Sequence, residues 1–351
     1  MNEVFVFGAG ASYASAGTPL GAQLVWEYHR DCTPLKRIDE WGIADTQEDD
    51  VVFSNFHKFL EVIERHFPQA VGESARFRNR GAAVYHRPEH LEAKEYSIDE
   101  ILKLIQERSD NDDRKLIKKL IFEHLSHQFA YPHKLRPNEL YQNFIDKVVN
   151  SKSKRTASII SFNFDLLLDE VQYFDYMIEF DSPHPSKRNR SADLIPFIKL
   201  NGSLNWGICW KCKRLSLYSC YIRRGFYEKE ICCEENAKEP FIIVPYENYA
   251  DKMKILWSKA EHQLRLAHKV TIIGYSFPEY DQKAIESFST ALNENVELQI
   301  VDYCTKSDSN VREKETERIK VKYREMFPHL KREFKISLDG FADFVENYQS
   351  T

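Results

Sequence analysis

The sequence predicts an α/β fold in which a mainly parallel sheet is flanked by helices and interrupted by a helical insertion. Two observations predict it. Short apolar segments bounded by polar or glycine residues recur at Glu3 to Phe7, Ala157 to Ser161, Phe197 to Leu200, Lys269 to Ile273 and Val296 to Val301. Helical stretches such as Tyr249 to Ala267 and Gln282 to Leu292 separate several of them, the alternation that builds a parallel sheet.

The first strand, Glu3 to Phe7, runs into Gly8-Ala9-Gly10-Ala11-Ser12, and a helix is expected over Leu20 to His29. Strand, glycine turn and helix in that order form the place where backbone amides and a helix N-terminus cradle a pyrophosphate, the Rossmann-like arrangement. Ala9, Ala11 and Ser12 are small enough for a ligand to approach the backbone, and a side chain at Gly10 would occupy the pyrophosphate position. A dehydrogenase fingerprint would want a third glycine where Tyr13 stands and an acidic residue ending a second strand about 20 positions further on, and the sequence offers neither. A tight turn that binds nothing is the competing reading.

From about Asp50 to Asn150 the apolar spacing becomes helical, with Phe56, Phe59, Leu60 and Ile63 on one face and Ile98, Ile101, Leu102 and Ile105 on another. Within it, Glu73 to Glu95 carries four arginines and few apolar residues, which suits an exposed loop. A last strand and helix, Phe334 to Ser337 and Phe341 to Tyr348, close the sheet domain. The expected division is residues 1–45, 151–206 and 241–351 for the Rossmann-like domain, 46–150 for the helical insertion and 207–240 for a small cysteine-bearing module.

That module holds five of the seven cysteines. Cys209-x-x-Cys212 is followed after nineteen residues by Cys232-Cys233, close to the paired-knuckle spacing of a structural zinc site. Adjacent cysteines ligate together only with awkward backbone geometry, so Cys220 competes for the fourth place. The alternative is a set of reduced thiols. A closed four-thiolate site is structural, because it leaves no open position for chemistry.

Basic and acidic residues nearly balance, 49 against 54, and the net charge of −5 excludes a general attraction to nucleic acid or to an anionic membrane. The opening residues offer no basic, apolar leader, so the expected location is the cytoplasm.

Three further polar or small-residue turns follow strands: Ser161-Phe162-Asn163-Phe164-Asp165, Lys199-Leu200-Asn201-Gly202-Ser203-Leu204-Asn205-Trp206 and Ile273-Gly274-Tyr275-Ser276. With the glycine turn they define one crevice at the carboxyl edge of the sheet. Asn163 and Asp165 could also simply cap a helix starting near Leu166.

In order and wording these stretches resemble the sirtuin-like family, and most closely its bacterial branch of NAD-consuming proteins in antiphage defence. The resemblance implies that Gly8, Ala9, Gly10, Ala11 and Ser12 meet the NAD phosphates, followed by Thr18 and Pro19. It implies roles for Asn163 and Asp165 at the nicotinamide ribose and the carboxamide. It places Gly274, Tyr275 and Ser276 near the ribose and phosphate, and Asp302 at the adenosine ribose. It also implies a zinc ribbon around Cys209, Cys212, Cys232 and Cys233.

The departure is Asn201, where NAD-cleaving members carry the histidine that serves as general base. An amide donates and accepts hydrogen bonds but takes no proton. Hydrolysis of NAD to nicotinamide and ADP-ribose is therefore expected ahead of protein deacylation, with a weak or inactive NAD or ADP-ribose sensor, or an assembly module, as the alternative. His184 is the first substitute base to consider. Expected partners are NAD or ADP-ribose, further copies of the chain and, for an assembly module, a partner protein.

Overall fold

A computed structural model describes residues 2–16, 139–149, 157–170, 174–176, 195–209, 211–212, 214–217, 231–233, 236–237, 239–243 and 251–348, with seven scattered residues between 103 and 117. The expected helix at Leu20 to His29, the helical faces around Phe56 and Ile98, the arginine-bearing stretch, Thr18, Pro19, His184 and Cys220 lie outside the described residues.

In chain order the described elements are β1 (Glu3–Phe7), α1 (Ala9–Ala16), α2 (Glu139–Val149), β2 (Ala157–Ser161), α3 (Leu167–Glu170), β3 (Phe174–Tyr176), β4 (Ile195–Lys199) and β5 (Gly202–Ile208). They continue with β6 (Leu215–Leu217), β7 (Ile231–Cys233), β8 (Asn236–Ala237), β9 (Glu239–Ile242), α4 (Asp251–Leu266), β10 (Lys269–Ile273), α5 (Gln282–Ala291), β11 (Glu297–Val301), α6 (Ser309–Met326), β12 (Lys335–Ser337) and α7 (Gly340–Glu346).

The main sheet has seven strands in the order β12-β11-β10-β1-β2-β4-β3, and every pairing is parallel. Parallel strands need crossovers, which here put helices on both faces. On one face Phe5 and Phe7 of β1 pack with Tyr141 and Phe144 of α2 and with Phe341 and Phe344 of α7. On the other, Val4 and Val6 pack with α4, α5 and α6 through residues such as Leu264, Phe288 and Tyr323. β1 is buried along its whole length because both faces are covered. From β1 the sheet is filled on one side by β2 and the β4–β3 edge and on the other by β10, β11 and β12, so the topology switches between β1 and β10, the place where an open α/β sheet leaves a crevice.

Glu3 to Phe7, Ala157 to Ser161 and Lys269 to Ile273 are strands over the expected residues, and the other named strands and helices differ at their ends by two residues or fewer. One expectation is corrected. The helix after β1 begins at Ala9, inside the glycine turn. Gly10 thus sits in the first helical turn. The antiparallel sheet β6-β5-β9 and the β7-β8 hairpin follow Asn201 along the chain and precede β10.

The chain divides into two compact units, Met1–Thr18 with Leu125–Thr351, and Pro19–His124. In the second, the described residues are helical, and Asp113 and Ile117 are buried. No described helix is long and apolar enough to cross a membrane.

Candidate functional site

The turns after β1 and β10 interlock at the switch point. Gly8 N donates to the carbonyl of Ile273 at 3.0 Å, Gly10 N to that of Gly274 at 3.0 Å, and Ala11 N to that of Gly8 at 3.0 Å. Gly274 has φ +62°, and a Cβ there would lie 2.3 Å from Ala11 N. A Cβ on Gly8 would lie 2.5 Å from the Gly274 oxygen, and one on Gly10 3.0 Å from the Gly274 Cα. Gly10 therefore makes room for the neighbouring turn. Three of the turn's amides already serve protein carbonyls.

Asn163 lies in the turn after β2 and points its amide into this junction. Its Nδ2 donates to the Gly8 carbonyl at 2.9 Å and to Ser12 Oγ at 2.8 Å, and Ser12 Oγ shares a 3.0 Å hydrogen bond with the Tyr141 hydroxyl. All three side chains are buried. Burial foremost, with the nearby Asp165 charge, pushes the Tyr141 phenol well above its ordinary range, so it stays a neutral hydrogen-bonding group.

Asp165, also buried, accepts from Leu167 N at 3.0 Å and so caps α3. The capping reading therefore holds for Asp165. The Asn163 amide is committed across the sheet to the glycine turn. Burial raises the Asp165 carboxyl, and the Lys199 ammonium is the largest influence opposing it.

Lys199, at the end of β4, was not singled out by sequence reasoning. Its ammonium donates to the Asp165 carbonyl at 2.6 Å, Asp169 Oδ2 at 2.7 Å and Ser203 Oγ at 2.7 Å. The signal available was a cation closing an otherwise apolar strand. Tyr141 was missed too, since its helix lies in the span expected to be an insertion.

Asn201 occupies the tight connection from β4 to β5. Its Nδ2 donates to the Phe162 carbonyl at 2.8 Å, and its own backbone carbonyl accepts from Ile243 N at 2.8 Å. Gly202 follows at φ +76°, where a Cβ would lie 2.1 Å from the Phe241 oxygen, so only glycine closes this turn beside β9. Asn163, Asp165 and Asn201 thus come together at the ends of β2 and β4.

On the other flank the Tyr275 ring stacks on Phe162 with centroids 3.9 Å apart, and its hydroxyl donates to Asp281. Ser276 is exposed, and its carbonyl accepts from Lys322 Nζ at 2.7 Å. Phe277 holds φ +48°, a left-handed conformation costing about 1–3 kcal/mol that its buried ring, packed among Phe288, Tyr323 and Phe327, maintains. Asp302 stands half-buried at the end of β11, with Oδ1 accepting from Tyr303 N at 2.8 Å.

The cysteine module gathers Cys209, Cys212 and Cys233, whose sulfurs lie within 4.8 Å of one another, with Cys209 and Cys233 3.4 Å apart. Thiolates about 2.3 Å from a tetrahedral ion sit roughly 3.8 Å from each other, so these three fit such an ion. The amide of Cys212 draws the Cys209 thiol down to about 6, while its hydrogen bond with Cys209 pushes Cys233 up to about 11. One thiol ready to ionise beside two others is the chemistry a metal ion completes. Cys232 lies in β7, its side chain outside the described residues.

The fold and these turns define an open, parallel α/β protein of Rossmann-like topology with a small cysteine module. No family model and no curated protein matches the sequence. Among solved structures, the chain is similar to a mutant Sir2 homologue in complex with ADP-ribose, at 12% identity, covering 98% of this chain and 90% of that one with a TM-score of 0.43. It is also similar to a structure described as the basis for the mechanism and regulation of Sir2 enzymes, at 11% identity, 98% and 89% coverage and a TM-score of 0.41. A Sir2 homologue in complex with NAD gives 11% identity, 72% and 76% coverage and a TM-score of 0.40. Values this low leave the chemistry to be argued from this chain's own residues.

Proposed function

We propose that this chain binds NAD in the crevice at the β1/β10 switch and hydrolyses it to nicotinamide and ADP-ribose. The observation that carries the reading is the buried junction in which Asn163 bridges the glycine turn to the turn bearing Asp165, beside Asn201. In the reaction the bond between ribose C1′ and the pyridinium nitrogen breaks, its electron pair neutralises nicotinamide, and the oxygen of water bonds to C1′. The proton that water loses goes to a base or to solvent. Asn201 orients a ribose hydroxyl but takes no proton. Asp165, whose carboxyl is raised by burial against the opposing Lys199 ammonium, is the titratable group beside it, and its ionised form favours the charge that develops on the ribose.

In this reading Gly8, Ala9, Gly10, Ala11 and Ser12 line the phosphate side. Gly274, Tyr275, Ser276 and Asp302 line the adenosine side, and Cys209, Cys212, Cys233 and a fourth ligand hold a structural zinc. Antiphage defence, a cytoplasmic location and assembly into a homo-oligomer belong to the same reading and rest on the motif resemblance. The second reading is a sensor that holds the nucleotide without turning it over. It is favoured because Asn201 supplies no base and because three amides of the glycine turn serve protein carbonyls.

Incubation of the purified chain with NAD, following nicotinamide release, tests the proposal. Asn201→His should raise turnover by a factor of about 10²–10⁴ by placing a titratable group beside the ribose. A histidine variant that binds NAD and releases no more nicotinamide than the parent would favour the sensor.

A further inference from the structure

Strand β4 runs Ile195-Pro196-Phe197-Ile198-Lys199, buried against helices on both sides of the sheet, where an apolar residue would be expected at its end. A lysine stands there with its side chain 1% exposed, paired to an Asp169 carboxylate that is 0% exposed. A buried ion pair is costly to desolvate, and a well-packed apolar pair of similar volume usually serves stability as well or better. Stability alone therefore does not account for the pair.

The geometry supplies a reason. The ammonium has three protons and meets three acceptors, one on each of three elements: the Asp165 carbonyl after β2 at 2.6 Å, Asp169 Oδ2 on α3 at 2.7 Å and Ser203 Oγ on β5 at 2.7 Å. The turn after β2 carries Asn163 and Asp165, and the β4–β5 connection carries Asn201. Backbone bonds from Leu200 N to Ser161 O and from Leu204 N to Phe164 O, both 2.8 Å, run between the same two segments.

We propose that Lys199 is a positioning residue, a buried cation that clamps the Asn163–Asp165 turn to the Asn201 connection and sets the field in which the Asp165 carboxyl sits. Its role in ligand binding rests on the nucleotide reading above; its effect on Asp165 does not. The charged or titratable groups acting on Asp165 are Lys199 on β4 and Asp169 on α3, with Tyr141 on α2 coupled to it and the Ser12 hydroxyl of α1 bonded to it.

The test replaces both charges together, Lys199→Met with Asp169→Leu, so that packing is kept and no lone buried charge remains. The double variant should melt at or above the parent temperature, bind ADP-ribose at least about tenfold more weakly, and show the Asp165 carboxyl, followed by carbon NMR, titrating at higher pH. A folded double variant with parental ADP-ribose affinity and an unmoved Asp165 titration overturns the inference. If the double variant does not fold, Ser203→Ala removes one arm of the clamp and leaves the ion pair. Weaker ADP-ribose binding in that variant supports the inference, and parental affinity overturns it. If the parent itself binds no ADP-ribose the nucleotide reading fails, and the Asp165 titration alone then decides the clamp.

Discussion

At Asp165, burial raises the carboxyl while the Lys199 ammonium and the hydrogen bonds from Ser12 and Leu167 N lower it, and burial prevails. The folded protein therefore holds this proton more tightly than the unfolded chain. Its contribution to stability is fully present below the unfolded aspartate range and is lost as pH rises through the raised folded value. Ionised Asp165 is thus a strain on the fold at neutral pH. Asp165→Asn, which keeps an oxygen for Leu167 N, should raise the melting temperature at neutral pH and have little effect in acid, as calorimetry at both pH values would reveal. Nicotinamide release should fall in the same variant. Parental turnover would remove Asp165 from the chemistry, and an unchanged melting temperature would contradict the burial argument.

Among the elements, the interlocked turns after β1 and β10 set what the glycines do. Gly274 at φ +62° lies against the first turn of α1, so Gly274→Ala should destabilise by at least about 2 kcal/mol, from left-handed strain together with overpacking. Denaturant titration without any ligand measures this, and a loss below about 0.5 kcal/mol would show that the two turns separate easily. The cysteine module carries its own prediction. Elemental analysis should find about one zinc per chain, and Cys212→Ser should reduce that load. A metal-free, well-folded preparation would leave Cys209, Cys212 and Cys233 as reduced thiols.

For the whole molecule, a ligand bound to the native state and not to the unfolded chain stabilises by mass action, about 2.7 kcal/mol at a hundredfold excess over its dissociation constant. NAD or ADP-ribose should accordingly raise the melting temperature, and a flat response at millimolar ligand would sink the nucleotide reading. Much of this architecture was legible in the sequence. Short apolar runs alternating with helical stretches specified the main strands, because a strand buried on both faces must be apolar along its length. The turns at their ends were legible for the same reason, since only small or polar residues suit that edge. The cysteine spacing likewise brought Cys209, Cys212 and Cys233 into view as one cluster. Tertiary structure decided the rest. That Gly10 faces Gly274, that Tyr141 reaches Ser12 and that Lys199 finds Asp165, Asp169 and Ser203 are contacts between segments distant in the chain or set by how a turn folds back. Sequence periodicity encodes which face of an element is buried. It carries no record of which partner lies across that face, because the partner is chosen by the order of strands in the sheet.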